Sequence, residues 1–246
     1  YNTFMNLLAF ELSTEACSVA LWVDGDVRER HEIAPRKHAE FALPWAETLL
    51  ADAGIAKSQL DAIAVGRGPG AFTGVRLGVA IAQGIALALD RPAVPVSTLA
   101  TLAMRAVWQG AGDGAHVLAA IDARMREVYA AAFVLECEPD GAFSLRALDA
   151  ERVAAPDAMA LPEGIDWFGV GTGFSAESGI LRDRFASQLR AVDAEALPHA
   201  ADVAALAHAA FLRGEAVAPE HLEPAYLRNQ VALTLVEQQA LRAGRS

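Results

Sequence analysis

The chain has 246 residues, a formal net charge of −11, and 54% hydrophobic against 21% charged residues. It is long enough for one large domain or two small ones and apolar enough to fold, which excludes an intrinsically disordered chain. The acidic balance argues against a stand-alone nucleic-acid binder, which would carry a basic footprint.

Tyr1-Asn2-Thr3-Phe4 precedes Met5 and is set aside as a leftover of cloning. No charged start with an apolar block and cleavage site appears, so no secretory signal is expected. Asn6–Leu12 is an apolar stretch of strand length, and Ser13-Thr14-Glu15 is a turn. Cys17–Asp24 alternates as a second strand, Asp24-Gly25 signals a hairpin, and Asp26–Ile33 returns as a third strand, polar enough for an edge. A helix is predicted from His38 to Ala53 with Gly54 as its C-cap, and Pro44 predicts a late start or a kink. Asp61–Gly66 is a short buried strand, and the loop Gly66-Arg67-Gly68-Pro69-Gly70 leads into a helix from Thr73 to Leu89. Within that helix the longest nearly apolar run, Leu77–Leu89, is shorter than the roughly 20 residues of a membrane span. Pro92–Val96 is a strand and Thr98–Trp108 a helix.

Gln109-Gly110-Ala111-Gly112-Asp113-Gly114 is the clearest linker. Strands follow at His116–Asp122 and Glu127–Glu136, then a turn at Glu138–Gly141 and a third short strand. Trp167–Val170 is a strand ending in Gly171-Thr172-Gly173, and helices are predicted over Ser175–Phe185 and Ala201–Arg213. Both halves open with strands and then alternate, so the expected class is α/β with mixed sheets and a duplicated architecture. A short helical stretch is expected in the tail. The expected division is 1–108, 109–217 and 218–246, the tail packing back on the lobes. The 54 alanines point to many tightly packed helices. Charge follows the division: residues 1–106 hold 9 bases against 11 acids, residues 107–217 hold 8 against 17, and the rest balance. Cys17 and Cys137 lie far apart without a CxxC, which excludes a disulfide framework and fits a reduced, cytoplasmic location.

The glycine loop admits two readings. A glycine-rich turn entering a helix can cradle a phosphate on free N–H groups, with Gly68, Gly70 and Thr73 as the contacts. It can equally be a tight strand–helix turn, and the spacing matches neither GxxxxGK[ST] nor GxGxxG. Gly74, Gly78, Ala82 and Ala86 then form a small-residue ridge, filled either by this chain's own sheet or by a partner's helix. The preceding helix tips that choice toward a partner. Phe41, Trp45 and Leu49 line one face while Leu43, Ala46 and Leu50 line another, and a helix apolar on two faces is buried on two faces. The partner-binding set is therefore Phe41, Leu43, Trp45, Leu49, Gly74, Gly78 and Ala82.

Catalytic signals are thin. None of the six histidines forms HxxxH or HExxH, so no metal ligand is assigned, and His38 is read as structural or surface. Ser13, Thr14 and Ser18 lack a GxSxG context. Asp122 and Arg124 read as an ion pair. Glu11, after the first strand, could orient a metal–phosphate but is longer than the aspartate usual there.

Several segments together resemble the bacterial TsaB (YeaZ) family. They are Leu8–Leu21, His38 with Leu43-Pro44, the block Gly68–Gly78, Ile121–Tyr129, Gly171-Thr172-Gly173 and Pro224–Arg228, so the resemblance spans residues 6–232. Two positions depart from the family pattern: Glu11 stands for aspartate and Thr172 for asparagine. The resemblance implies an actin/Hsp70/sugar-kinase-like (ASKHA, ribonuclease-H-like) two-lobe fold. It also implies a part in forming N6-threonylcarbamoyladenosine on tRNA, as a non-catalytic subunit that binds and activates the paralogous TsaD transferase. TsaE, an ATPase, is the further partner implied, and TsaC supplies the threonylcarbamoyl-adenylate. The family's partner surface and self-dimer surface correspond here to His38–Ala53 and Thr73–Leu89. The resemblance further implies a homodimer in isolation, no tight nucleic-acid contact, no membrane, and no cofactor bound by this chain alone, with ATP or ADP only at an interface with partners. The alternatives are an ATP-hydrolysing enzyme of the same fold and, with no nucleophile–base or metal pair behind it, a protease.

Overall fold

The structure is a computed structural model that describes residues 5–139 and 141–228. The leading tetrapeptide and the expected tail helix lie outside the described residues. Side-chain alternation along β1 (Asn6–Glu11) fixes the first layer. Leu8, Phe10 and the following Leu12 enter one core with α1 (His38–Ala53) and α2 (Phe72–Leu89), while Leu7 and Ala9 enter another with α5 (Ala200–Leu212). The sheet runs β3 (Asp26–Ile33), β2 (Ala16–Val23), β1, β4 (Ala62–Gly66), β5 (Ala93–Val96). Its first two pairings are antiparallel and its last two parallel. The central strands β1 and β4 are buried on both faces and read as continuous apolar runs, as strands covered by helices on both sides should. β3 is the polar edge the sequence predicts.

The second sheet repeats this plan. It contains β6 (His116–Arg124), β7 (Glu127–Cys137), β8 (Phe143–Ala147), β10 (Trp167–Val170) and β11 (Leu189–Asp193), in the order β11-β10-β6-β7-β8, with β9 (Arg152–Ala154) on β7. Again the opening meander is antiparallel and the later strands join in parallel. Two sheets with one topology and mixed pairing form the duplicated ASKHA-like α/β fold.

Several elements depart from expectation. α1 runs unbroken through Pro44, and Thr48 Oγ1 donates to the Pro44 carbonyl at 2.8 Å. The helix after β5 is α only over α3 (Thr98–Ala103) and continues as a 3-10 turn. The helix expected over Ser175–Phe185 breaks, because Glu177, Ser178 and Gly179 all take positive φ, leaving only α4 (Ile180–Arg184). The short strands β9 and β11 carry too little apolar alternation to be read from sequence. α5, drawn in the second lobe, packs on the first sheet: Ala200, Ala204 and Ala207 meet Ala9, Ala20 and Ala64, a use for the alanine excess. Cys17 and Cys137 are free thiols. Cys17 is buried, and that burial, aided by the Glu32 carboxylate, pushes its thiol up to about 12, so it stays an unreactive hydrophobe.

α2 is the one helix among the described residues long and apolar enough, by length and composition, to cross a membrane. Here its inner ridge lies on the sheet instead. At Gly74 the approach leaves no room for a side chain, since a Cβ would sit 2.0 Å from the Leu12 carbonyl oxygen. At Gly84, on the opposite face, a Cβ would meet nothing within 4 Å. Gly74→Ala should therefore destabilise the fold by about 1–3 kcal/mol or more, whereas Gly84→Ala should stabilise it by up to about 1 kcal/mol. Urea denaturation midpoints of the two variants check the opposite signs.

Candidate functional site

The contact that seats α2 also decides which of its faces is free. Gly74, Val75, Gly78, Val79, Ala82 and Ala86 are buried against the chain's own sheet, with Gly78 closing on Val65. The ridge expected to receive a partner helix is thus filled from within, so Gly74, Gly78 and Ala82 leave the partner set. Leu49 leaves it too, as a core residue beneath α1. A second small-residue series, Ala80, Gly84 and Ala88, is exposed on the outer face, which the sequence could not distinguish from the first. Leu87 stands 56% exposed beside it, flanked by half-buried Leu77 and Ile81. No charged residue occurs from Leu77 to Leu89. On α1, Phe41 stacks on Trp45 with centroids 5.0 Å apart, both half-buried, and Leu43 is 46% exposed. The apolar side chains that this outer face leaves exposed or half-exposed are therefore Phe41, Leu43, Trp45 and Leu87, beside the Ala80–Gly84–Ala88 strip.

The glycine loop is pinned from three sides. Ala71 N–H donates to the Ser13 carbonyl at 2.6 Å, Gly68 N–H to Thr98 Oγ1 at 3.2 Å, and Ala225 N–H to the Arg67 carbonyl at 2.8 Å. Gly68 therefore spends its amide internally, while Gly70 and Thr73 reach the wall of a cleft between the lobes. His38 Nε2 lies 3.0 Å from the Thr14 carbonyl oxygen and 3.1 Å from that of Ala16. Both are acceptors, so Nε2 donates and ties α1 to the β1–β2 turn, the structural role expected of it.

Glu11 is buried and turned away from the cleft. Its carboxylate accepts the Ser13 N–H at 2.8 Å and the Thr98 hydroxyl at 3.3 Å, and it lies so close to Gly66 that a Cβ there would be 1.9 Å from Oε2. The longer side chain is consumed in bracing the turn. At the second departure, the positive φ falls on Gly171 (106°), so Thr172 keeps ordinary backbone and its hydroxyl accepts the Asp122 N–H at 3.1 Å.

The cleft holds about 1380 Å³ between the β1–β2 turn, the start of α2, the β6–β7 hairpin and the tail. Arg36, Arg76, Arg124 and Arg228 border it against Glu15 and Asp122. Arg76 stacks on Phe72 and approaches Tyr226 at 4.9 Å, giving a cationic and aromatic rim suited to an anionic, planar ligand. Arg124 pairs with Asp122 at 2.7 Å, as its sequence position implies. Arg228 pairs with Glu127 and reaches the Ala123 carbonyl, fastening the tail to the second lobe.

Comparison with known proteins follows this geometry. The family model described as TsaD: tRNA N6-adenosine threonylcarbamoyltransferase matches residues 31–235. The tRNA threonylcarbamoyladenosine biosynthesis protein TsaB of Escherichia coli (strain K12) is 43% identical over 233 residues, 93% of this chain and 96% of that protein. Its Haemophilus influenzae counterpart is 39% identical over 231 residues, 92% of this chain and 95% of that protein. The solved structure of YeaZ from Pseudomonas aeruginosa superposes with a TM-score of 0.78 at 44% identity, covering 91% of this chain and all of that one.

Burial raises the Glu11 carboxyl above its usual value, against the hydrogen bonds from Ser13, Thr98 and Leu12 that favour the charged form. A raised folded value contributes stability below about pH 4.5 that is lost as pH climbs through the folded value. The stability of Glu11→Gln relative to wild type should therefore rise as pH climbs above about 4.5, in urea melts along a pH series. A constant difference would contradict the burial argument.

Proposed function

The chain belongs to the family of tRNA threonylcarbamoyladenosine biosynthesis proteins TsaB, and we propose that within that pathway it is a non-catalytic subunit that docks and activates a TsaD-type transferase. The observation that carries this reading is the outer face of α1 and α2: Phe41, Leu43 and Trp45 on α1 beside an α2 stretch with no charged residue from Leu77 to Leu89, kept outward by the close packing of the inner α2 ridge. Contiguous apolar surface of this kind marks a protein-binding site. A partner of related fold suits it, since the family model matched across most of the chain is that of the transferase itself. Without the transferase the same face can pair with a second copy of this chain, giving a homodimer. A TsaE-like ATPase is a further partner in this reading, the complex acts in the cytoplasm, and this chain makes no tight contact with tRNA.

The internal use of Glu11 favours a supporting role over ATP hydrolysis, because its carboxyl group is buried against Ser13, Thr98 and Gly66 and is not among the residues that line the cleft. Nucleotide enters this reading only jointly with partners. An ATP or ADP shared across the complex would set its phosphates near Gly70, Thr73 and Arg76, at the start of α2.

Leu43 and Leu87 are each about half exposed, so completing their burial on docking contributes about 1 kcal/mol apiece, and an aspartate in either place adds an unpaired buried charge. Leu43→Asp and Leu87→Asp should each weaken capture of the cognate transferase at least about tenfold, with melting temperatures close to wild type because both side chains lie outside the core. Undiminished capture by both variants would remove α1 and α2 from the interface.

A further inference from the structure

Away from the cleft and the α1/α2 face, the edge strand β3 meets the start of α5. Alternate residues of a strand share a face, so Glu29 and His31 project together toward the helix. His199, at the N-cap of α5, completes a group whose donor atoms all lie within 4.8 Å of one another. The two imidazoles stack with centroids 3.8 Å apart and planes 2° apart, and His199 Nδ1 is 2.9 Å from Glu29 Oε2. Glu29 is further held by the Ser18 hydroxyl at 2.7 Å and the Ala201 N–H at 3.0 Å. His31 Nδ1 is buried and makes no hydrogen bond among the described residues. A buried polar atom left unmatched costs about 1–3 kcal/mol, and His31 Nδ1 is such an atom within the group. A pocket of about 210 Å³, bordered by Trp108, Asp193 and Glu195, opens onto the two histidines. The nearest cation, Arg105, is neutralised by Asp202 at 2.9 Å.

We propose that Glu29, His31 and His199 form a site for a borderline divalent transition metal, Zn2+ as the type case, that fastens β3 to α5. Two imidazoles and one carboxylate are a donor set for such ions, with the fourth position left to water from the pocket. A metal lies in the plane of each imidazole it binds, so the parallel stack opens as the ion enters. His199 Nδ1 gives up the proton it shares with Glu29, which moves to Nε2 of the neutral ring or leaves to solvent from the imidazolium, and the metal takes its place. Ser18 and Ala201 then orient the carboxylate from behind. No sequence motif could display this site. Its donors come from two segments 170 residues apart, and the absence of HxxxH and HExxH speaks only for ligands on one helix.

The test uses untagged, chelator-treated protein titrated with ZnCl2 by calorimetry, and with Co2+ by its visible absorption. One ion per chain is expected at roughly micromolar affinity or tighter, with a rise in melting temperature. His31→Gln and His199→Gln should each weaken binding at least about tenfold, and His221→Gln, on the exposed tail segment, should leave it unchanged. Histidine NMR signals of the wild type give a readout independent of how the variants fold: the resonances of His31 and His199 should move together on adding Zn2+. Absence of binding at about 100 µM Zn2+, equal affinity in all three variants, or movement of other histidines instead would overturn the assignment.

Discussion

The approach of α2 to the β1–β2 turn governs the rest of the structure. The Leu12 carbonyl oxygen comes so near Gly74 that only glycine fits, and the Ser13 carbonyl receives the Ala71 N–H one turn earlier. These two contacts fix the rotation of the helix about its own axis. They send Gly78, Ala82 and Ala86 inward onto Val65 and the core, and they send Ala80, Gly84 and Leu87 outward. Rotation by one position would exchange a filled groove for an open one. The same turn holds His38 and donates its Ser13 N–H to the Glu11 carboxylate, so α1, α2 and the glycine loop are positioned by one piece of backbone.

Duplication gives the molecule two halves of one topology but different surface charge. Each sheet has an antiparallel meander of three strands followed by two parallel additions. The first half carries α1 and α2 and is nearly neutral, whereas residues 107–217 hold 17 acids against 8 bases. α5 stitches the halves, since it follows the second sheet in sequence and packs on the first.

Much of this was legible in the chain. The meander, the helix 38–53, the strand 167–170 and the linker near 109–114 follow from alternation, caps and glycine runs, and the repeated order of strands implied the duplication. Three things were not. Glycine and alanine recur every four residues on two faces of α2, and spacing cannot say which face meets the sheet; only the proximity of Leu12 does. The stretch 175–185 has helical composition, yet Glu177 and Ser178 in left-handed backbone interrupt it, and no residue type announces that. The group of Glu29, His31 and His199 is assembled by tertiary contact across most of the sequence and leaves no local pattern.

Direct reconstitution of the tRNA modification gives the clearest test of the central reading: a TsaD-type transferase, its ATPase partner, threonylcarbamoyl-adenylate and substrate tRNA, assembled with and without this chain. Product is expected only when the transferase and this chain are both present, and none from this chain without the transferase. Full product in its absence, or transfer by this chain alone, would contradict the assignment of a docking, non-catalytic subunit.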